Sequence, residues 1–151
     1  MNEVELSYIA GFFDGEGCVC ISANCSVRVV VAQQRTDVLD WMLTEFRGTV
    51  QRCKSQNAAK WQIANKPDTL KFLKAIRPYL RVKQIEVDLA IKMLELSSTN
   101  STRPQSKNGR FLPNPNKDAR EQIFRMYRLY RDQTSKQSVA LRKRNKEKKL
   151  M

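Results

Sequence analysis

The sequence predicts an α+β domain: a four-stranded antiparallel sheet covered by helices on one face and open on the other. Three observations lead there. Apolar residues recur at helical spacing in segments 3–13, 36–46, 66–80 and 83–97. After each of the first two helices come two short alternating segments joined by a polar turn, the pattern of a hairpin. The order is therefore α-β-β-α-β-β-α-α, and two hairpins in one chain can join into a single sheet with helices on one side.

The first helix, 3–13, places Leu6, Ile9, Ala10 and Phe13 on one face. The glycines of Asp14-Gly15-Glu16-Gly17 are expected to end it. Residues 18–23 read as a strand, Asn24-Cys25-Ser26 as a tight connection, and the valine-rich segment 27–33 as the strand's partner. Segment 36–46 opens on Thr36, a candidate cap, and carries Val38, Leu39, Met42, Leu43 and Phe46 before Arg47-Gly48 stops it. Segments 49–54 and 60–65 alternate with period two around a polar loop, giving the second hairpin. Leu70, Phe72, Leu73 and Ile76 form the next helical stripe, which Pro78 ends or kinks. Segment 83–97 is again amphipathic. Residues 98–116, rich in Ser, Asn, Pro and Gly, read as a long loop. The last helix covers 117–133, with Ile123, Phe124, Tyr127, Leu129 and Tyr130 as its apolar contacts. The domain is thus 1–134, loop included, and 135–151 is a basic tail, solvated, frayed or bound to phosphate. Trp41, Trp61, Tyr127 and Tyr130 are assigned to the core rather than to base stacking.

Charge narrows the function. Lys and Arg number 28 against 15 Asp and Glu, a net +13, and such self-repulsion implies an anionic partner, nucleic acid or an acidic membrane surface. Strand parity sets Val27, Val29, Val31, Trp61 and Ile63 on one side of the sheet. Arg28, Val30, Ala32, Gln34, Gln51, Lys60 and Gln62 take the other. A polar, cationic sheet face suits a DNA major groove, where strands project donors and acceptors onto base edges. There is no apolar run of ~18 residues, so no membrane span is expected. The N-terminus is acidic before its apolar run, the reverse of a signal peptide. The expectation is an intracellular, reducing compartment, bacterial or phage cytoplasm or an organelle. Cys18, Cys20, Cys25 and Cys53 have neither disulfide-framework nor C-x-x-C spacing and read as small fillers or strand-surface residues. With no His in the chain, Ser–His and Cys–His nucleophile schemes are excluded. Any catalysis rests on carboxylates, lysines and a metal.

The joint between the first helix and first strand carries two acids. Ala10-Gly11 lets that helix approach another closely, and Asp14 and Glu16 sit at its end. One carboxylate is a poor Mg²⁺ site, whereas two copies of the joint packed helix on helix would set two carboxylates beside DNA phosphates. The stretch YIAGFFDGEG, residues 8–17, resembles the LAGLIDADG motif of homing endonucleases. Ala10, Gly11, Asp14, Gly15, Glu16 and Gly17 fall in register, and the two hairpins follow in the family order. PYLRVKQIEVDLAI (78–91) is similar to the family's P-φ-L-x-x-K-x-x-Q segment, and QQRTDVL (33–39) to its Q-K-x-x-x-x-L. The resemblance covers residues 4–97.

That resemblance implies the αββαββα LAGLIDADG fold and a site-specific double-strand DNA endonuclease. It implies Mg²⁺ as cofactor, with Mn²⁺ or Ca²⁺ substituting in binding. Glu16 would be the metal-binding acid, helped by the Gly15 carbonyl, with Asp14 more structural. Gln33 would be the active-site Gln, Gln34 the alternative one residue on. Lys83 and Arg35 would surround the attacking water and the phosphate. This chain departs from the family in two places: Asp37 stands where a basic residue is usual, so Arg35 substitutes, and Glu16 replaces the commoner Asp. The motif occurs once, so a two-fold homodimer is expected, with Ala10, Gly11, Phe13 and Asp14 at its interface and a long, roughly palindromic site. Cys20, Ser22, Asn24, Arg28, Val30, Gln34, Gln51, Lys60 and Gln62 would read the DNA. The competing reading keeps the scaffold without cleavage: a maturase gripping intron RNA, or a DNA-binding regulator.

Overall fold

The computed structural model describes residues 1–53, 58–98 and 115–150. Asn2 starts the first helix: its Oδ1 accepts the Glu5 N–H at 2.9 Å while Glu5 Oε2 accepts the Asn2 N–H at 2.8 Å, satisfying two end donors reciprocally. Helix α1 (Glu3–Glu16) leads into β1 (Gly17–Ile21) and β2 (Val27–Gln33). Helix α2 (Asp37–Phe46), β3 (Thr49–Cys53), β4 (Ala58–Ile63) and α3 (Lys66–Ile76) follow. A 3₁₀ turn (Arg77–Tyr79), α4 (Gln84–Ser98) and α5 (Lys117–Leu150) complete the order. The strands form one antiparallel sheet in the order β1-β2-β4-β3. The hairpins join through β2 and β4, with Val29 opposite Ile63 and Val31 opposite Trp61. The expected α+β arrangement is the one found.

One face of the sheet is buried by Val19, Ile21, Val27, Val29, Val31, Ala59, Trp61 and Ile63. Helices cover it with Ile9, Ala10, Phe13, Leu39, Met42, Phe72, Leu73, Ile76, Val87 and Met93. Phe72 is the hub, its ring centroid 4.8 Å from Phe46, 5.2 Å from Trp61 and 5.6 Å from Phe13, tilted or edge-on as aromatic quadrupoles prefer. Trp61 meets its one polar requirement by donating Nε1–H to the Arg47 carbonyl at 2.8 Å.

Several boundaries differ from the sequence reading. Helix α1 runs past Phe13 to Glu16 and ends at Gly17, whose extended backbone (φ −79°, ψ 156°) starts β1. Glycine is needed there for space: a Cβ would run into the buried Phe13 ring. Strand β1 stops at Ile21 because Ser22–Ser26 closes on itself. Ser22 N–H reaches the Ser26 carbonyl at 3.0 Å, Cys25 N–H the Ser22 carbonyl at 2.8 Å, and Cys25 takes φ +61°. Strand β4 begins at Ala58, two residues earlier than expected, because Ala58 and Ala59 pair with Cys53 and Arg52. Helix α5 continues from 117 to 150 instead of ending near 133. Leu129 is exposed rather than a core contact, while Tyr127 is buried. Trp41 is only half-buried, against Tyr8 at 6.0 Å. The expected loop 98–116 lies largely outside the described residues.

Candidate nucleic-acid interface and the acidic joint

The joint at the end of α1 is held by an exchange with the start of α4. The half-buried Asp14 carboxylate accepts three backbone N–H groups: Arg81 at 2.7 Å, Val82 at 3.1 Å and Lys83 at 3.0 Å. Partial burial pushes the Asp14 carboxyl up, but the three amides and the nearby Lys83 charge outweigh it and hold it below the usual carboxylate range. In return Lys83 Nζ donates to the Phe13 carbonyl at 3.2 Å, which also accepts the Gly17 N–H, and to the Asp14 carbonyl, at the helix end where carbonyls run short of intrahelical donors. Asp14 and Lys83 thus lock the chain crossing beneath the joint. Glu16, two residues on, is exposed, and its carboxylate has no hydrogen-bond or ion-pair partner among the described residues. Among the described residues Glu16 is thus a free acid where α1 passes into β1, beside the open sheet face.

That open face follows from the register. Cys18, Val30, Gln62 and Thr49 line up across the four strands; Ala32, Lys60 and Gln51 form a second row, and Cys20 pairs with Arg28 in a third. Arg28 and Gln51 are exposed and Val30, Lys60 and Gln62 half-buried, so polar and cationic groups sit on a rigid ladder. Ser22 and Asn24 lie in the β1–β2 turn, where the Asn24 side chain accepts the Ser26 N–H at 3.1 Å. Gln34 is exposed just beyond β2. Arg52 instead falls on the helix side, paired with Asp40 of α2 at 3.2 Å.

Other proposed site residues are placed differently from expectation. Arg35 is turned onto Asp37 at the start of α2, Nη2 to Oδ2 2.8 Å, so it does not join the acids. Gln33 lies opposite Ala59 on the helix-covered side, its Oε1 accepting the Gln34 N–H at 2.7 Å. It leaves β2 at the same end of the sheet at which Glu16 meets β1. Ala10 and Phe13 are fully buried in the chain's own core, which removes them from any interface with a second copy. The face that α1 exposes is Val4, Tyr8, Gly11 and Gly15; a Cβ at either glycine would meet nothing within 4 Å. Val4, Tyr8, Val82 and Ile85 are four of the large hydrophobic side chains left exposed, at 77%, 53%, 67% and 52%. An open groove lined by Ser7, Gly11, Asp14, Pro78, Arg81 and Gln84 runs between these two segments.

Helix α5 closes the free edge of β1. The Tyr127 hydroxyl donates to the Val19 carbonyl at 2.6 Å, pairing a group that an edge strand leaves open, and Arg120 Nη2 to the Cys25 carbonyl of the adjoining turn at 3.2 Å. Arg131 bridges Glu86 of α4, Nη1 to Oε1 3.3 Å, and Cys18, Nη1 to Sγ 3.9 Å. Cys18 and Cys20 face each other with sulfurs 3.7 Å apart. The Cys18 thiol as donor lowers the Cys20 thiol to about 6 despite partial burial, and the Arg28 and Arg131 guanidiniums add to the effect. Cys18 itself is pushed up. The longer ties are invisible in local sequence pattern: Asp14 and Lys83 are 69 residues apart, Val19 and Tyr127 108.

No protein-family model matches the chain, and no curated protein matches it. Solved structures do. The homing endonuclease I-CvuI, in complex with its target in the presence of calcium, is 21% identical over 62% of this chain and 67% of its own, with a TM-score of 0.54. The homing endonuclease I-TnaI is 17% identical over 63% of this chain and 74% of its own, with a TM-score of 0.55. The LAGLIDADG meganuclease I-AabMI, bound to uncleaved DNA, is 18% identical over 72% of this chain but only 41% of its own, with a TM-score of 0.54. With α1 and its acidic end, the two hairpins and the helices behind them arranged as described, the chain has the fold of the LAGLIDADG homing endonucleases.

Proposed function

We propose that the protein is a LAGLIDADG endonuclease that cuts both strands of a specific DNA site, working as a homodimer on a long, roughly palindromic sequence with Mg²⁺. The observation that carries this reading is the free Glu16 carboxylate at the end of a helix whose exposed face is lined by Gly11 and Gly15, next to an open cationic sheet. Small residues on that face let a second α1 approach backbone to backbone. The exposed Val4, Tyr8, Val82 and Ile85 supply apolar area around the contact. The match to less than half of I-AabMI supports the same reading, since that longer chain has room for a second such unit. Two-fold pairing would bring two Glu16 carboxylates together and set two sheets side by side.

The donors fit a hard cation only as a pair. Among the described residues no group of three His, Cys, Asp or Glu side chains stands together, so one copy offers a single carboxylate and the Gly15 carbonyl. Both are oxygen ligands of the kind Mg²⁺ takes, with Mn²⁺ or Ca²⁺ able to replace it in binding, and phosphate oxygens would complete the set. Bound there, the cation supplies Lewis-acid stabilisation of charge on the phosphate and a more acidic water. The chain's own residues do the rest. Arg28, Lys60, Gln51 and Gln62 bind and orient the duplex; Asp14 and Lys83 hold the acidic joint rigid so that Glu16 stays aimed. Gln33 and Lys83 stand near the joint as groups that hold water or phosphate once DNA arrives.

A second reading keeps DNA or intron RNA binding without cleavage, and one observation favours it: Lys83 Nζ is engaged with main-chain carbonyls instead of being free for a phosphate. Cleaved sites selected from a random DNA library with Mg²⁺ decide between them, with Glu16→Gln alongside. A pseudo-palindromic site cut by wild type and only bound by the variant is the expected result. Tight binding by wild type without cleavage in Mg²⁺ or Mn²⁺ would sink the enzyme reading.

A further inference from the structure

Cys18 and Cys20 stand on the open sheet face with their sulfurs 3.7 Å apart, and nothing in the endonuclease reading needs two thiols there. Their surroundings are built. Cys20 is the cross-strand partner of Arg28, Arg131 Nη1 lies 3.9 Å from Cys18 Sγ, and Glu86 anchors Arg131 from behind at 3.3 Å. Both thiols are half-buried and reachable from solvent. Two guanidiniums stabilise sulfur as thiolate, the form that attacks disulfides. Residues i and i+2 on a strand are about 6.6 Å apart at Cα. That lies near the upper limit of about 6.8 Å for a disulfide, and same-face Cβ atoms at this spacing exceed the roughly 3.5–4.5 Å that a disulfide spans, so the bond closes only as β1 shortens and is strained, hence easily reduced.

We propose that Cys18 and Cys20 are a reversible dithiol–disulfide couple, Cys20 attacking and Cys18 resolving, that governs whether the sheet engages nucleic acid. The step needs an external oxidant, a low-molecular-weight disulfide RSSR. The Cys20 thiolate attacks one sulfur, forming Cys20–S–SR and releasing RS⁻. The Cys18 thiol then attacks the Cys20 sulfur, closing the Cys18–Cys20 bond; its proton leaves with the second thiolate as RSH. Two electrons pass from the protein to RSSR, and added dithiol reverses the exchange. The consequence for DNA rests on the sheet being the interface. Bonding the sulfurs compresses β1 and shifts Cys20 away from Arg28, the cation best placed to read a guanine.

The test uses the full chain, reduced and then treated with oxidised glutathione. Arg28 is the first Lys or Arg in the sequence, so trypsin releases residues 1–28 as one peptide that includes Cys25 as an internal control. The expected product is that peptide two hydrogens lighter, unchanged in kind by Cys25→Ser, whereas Cys18→Ser accumulates a glutathione adduct at Cys20. Affinity for a duplex selected by binding to the reduced protein, read by fluorescence anisotropy, should fall about tenfold on oxidation, the loss of one good base contact, and recover with dithiothreitol. Cys20→Ser, whatever its starting affinity, should not respond to glutathione. Adducts at Cys25 forming as fast as at Cys20, or a Cys20 adduct that Cys18 never displaces, overturns the couple. A disulfide that forms while DNA affinity stays constant overturns its control of binding. If the reduced protein binds no DNA, the endonuclease reading falls instead, and the mass measurement alone judges the couple.

Discussion

Asp14→Asn removes one negative charge and replaces an acceptor oxygen with an NH₂ group, in a carboxylate that receives N–H groups from Arg81, Val82 and Lys83 at 2.7–3.1 Å. The amide keeps one acceptor, so at least one N–H loses its partner and another weakens to a neutral bond. Charge-assisted bonds are worth about 1.5–3 kcal/mol each in protected sites. The group is only half-buried, so water recovers part of the loss, and helix-cap replacements cost about 0.5–2 kcal/mol. The expected net loss is about 2 kcal/mol at neutral pH, which lowers a urea midpoint by about 1 M. The measurement is urea unfolding followed by circular dichroism at one fixed protein concentration, since self-association would shift the curve. The pH dependence gives a second check. Asp14 is held below its ordinary value in the fold, so its stabilisation is complete above the unfolded carboxylate value of about 3.9. It is lost as pH falls through the lower folded value. The gap between wild type and Asp14→Asn should be constant from about pH 5 to 7 and shrink below about pH 4. A gap under about 0.5 kcal/mol at pH 7, the spread of an ordinary surface substitution, or one unchanged at pH 3 would refute this account of the joint.

Gly11→Arg should leave folding intact, because a Cβ there meets nothing within 4 Å; sedimentation should show self-association lost, and a variant that still pairs would remove α1 from the interface. Tyr127→Phe deletes the hydroxyl bonded to the Val19 carbonyl at 2.6 Å, leaving an orphaned edge acceptor and costing about 1–2 kcal/mol in thermal or urea unfolding. Gly17→Ala pushes a methyl into the Phe13 ring and should cost about 1–3 kcal/mol as overpacking, read as a lower Tm. Removing residues 135–150, which hold seven Lys and Arg against one Glu, should flatten the salt dependence of duplex binding by several units of log–log slope, at most about six at ~0.9 per neutralised phosphate. An unchanged slope would make the end of α5 a spectator.

Much of the arrangement is readable locally. The valines of β2 and the Trp61/Ile63 alternation face the core as their parity requires, and Gln51, Lys60 and Gln62 fall on the open side. The Leu70–Ile76 stripe packs as spaced, with Phe72 and Leu73 fully buried. Most misses share one cause, that neighbours distant in sequence override the local signal, while Arg35 is missed through a partner only two residues away. Glycines at 15 and 17 suggest an early helix end, yet Lys83, just ahead of α4, supports the last turn of α1. Arg35 looked free until Asp37 folded back onto it, and Ala10 and Phe13 turned inward once the sheet took that side of α1.

Periodicity and composition act within a few residues, and so they determined the helices, the two hairpins, the sidedness of the sheet and the attraction of a +13 chain to polyanions. The acidic motif likewise singled out Glu16. Which groups meet was left to the tertiary structure. It decided that Asp14 ties down the Arg81–Lys83 segment ahead of α4 and that Gly11 and Gly15 lie on the accessible side of α1. It also set Tyr127 at the β1 edge and aligned Cys18 and Cys20 under two arginines. The physical reason is that the Asp14, Tyr127 and Arg131 ties join backbone groups and charges 45 to 113 residues apart, a pairing no window of sequence contains.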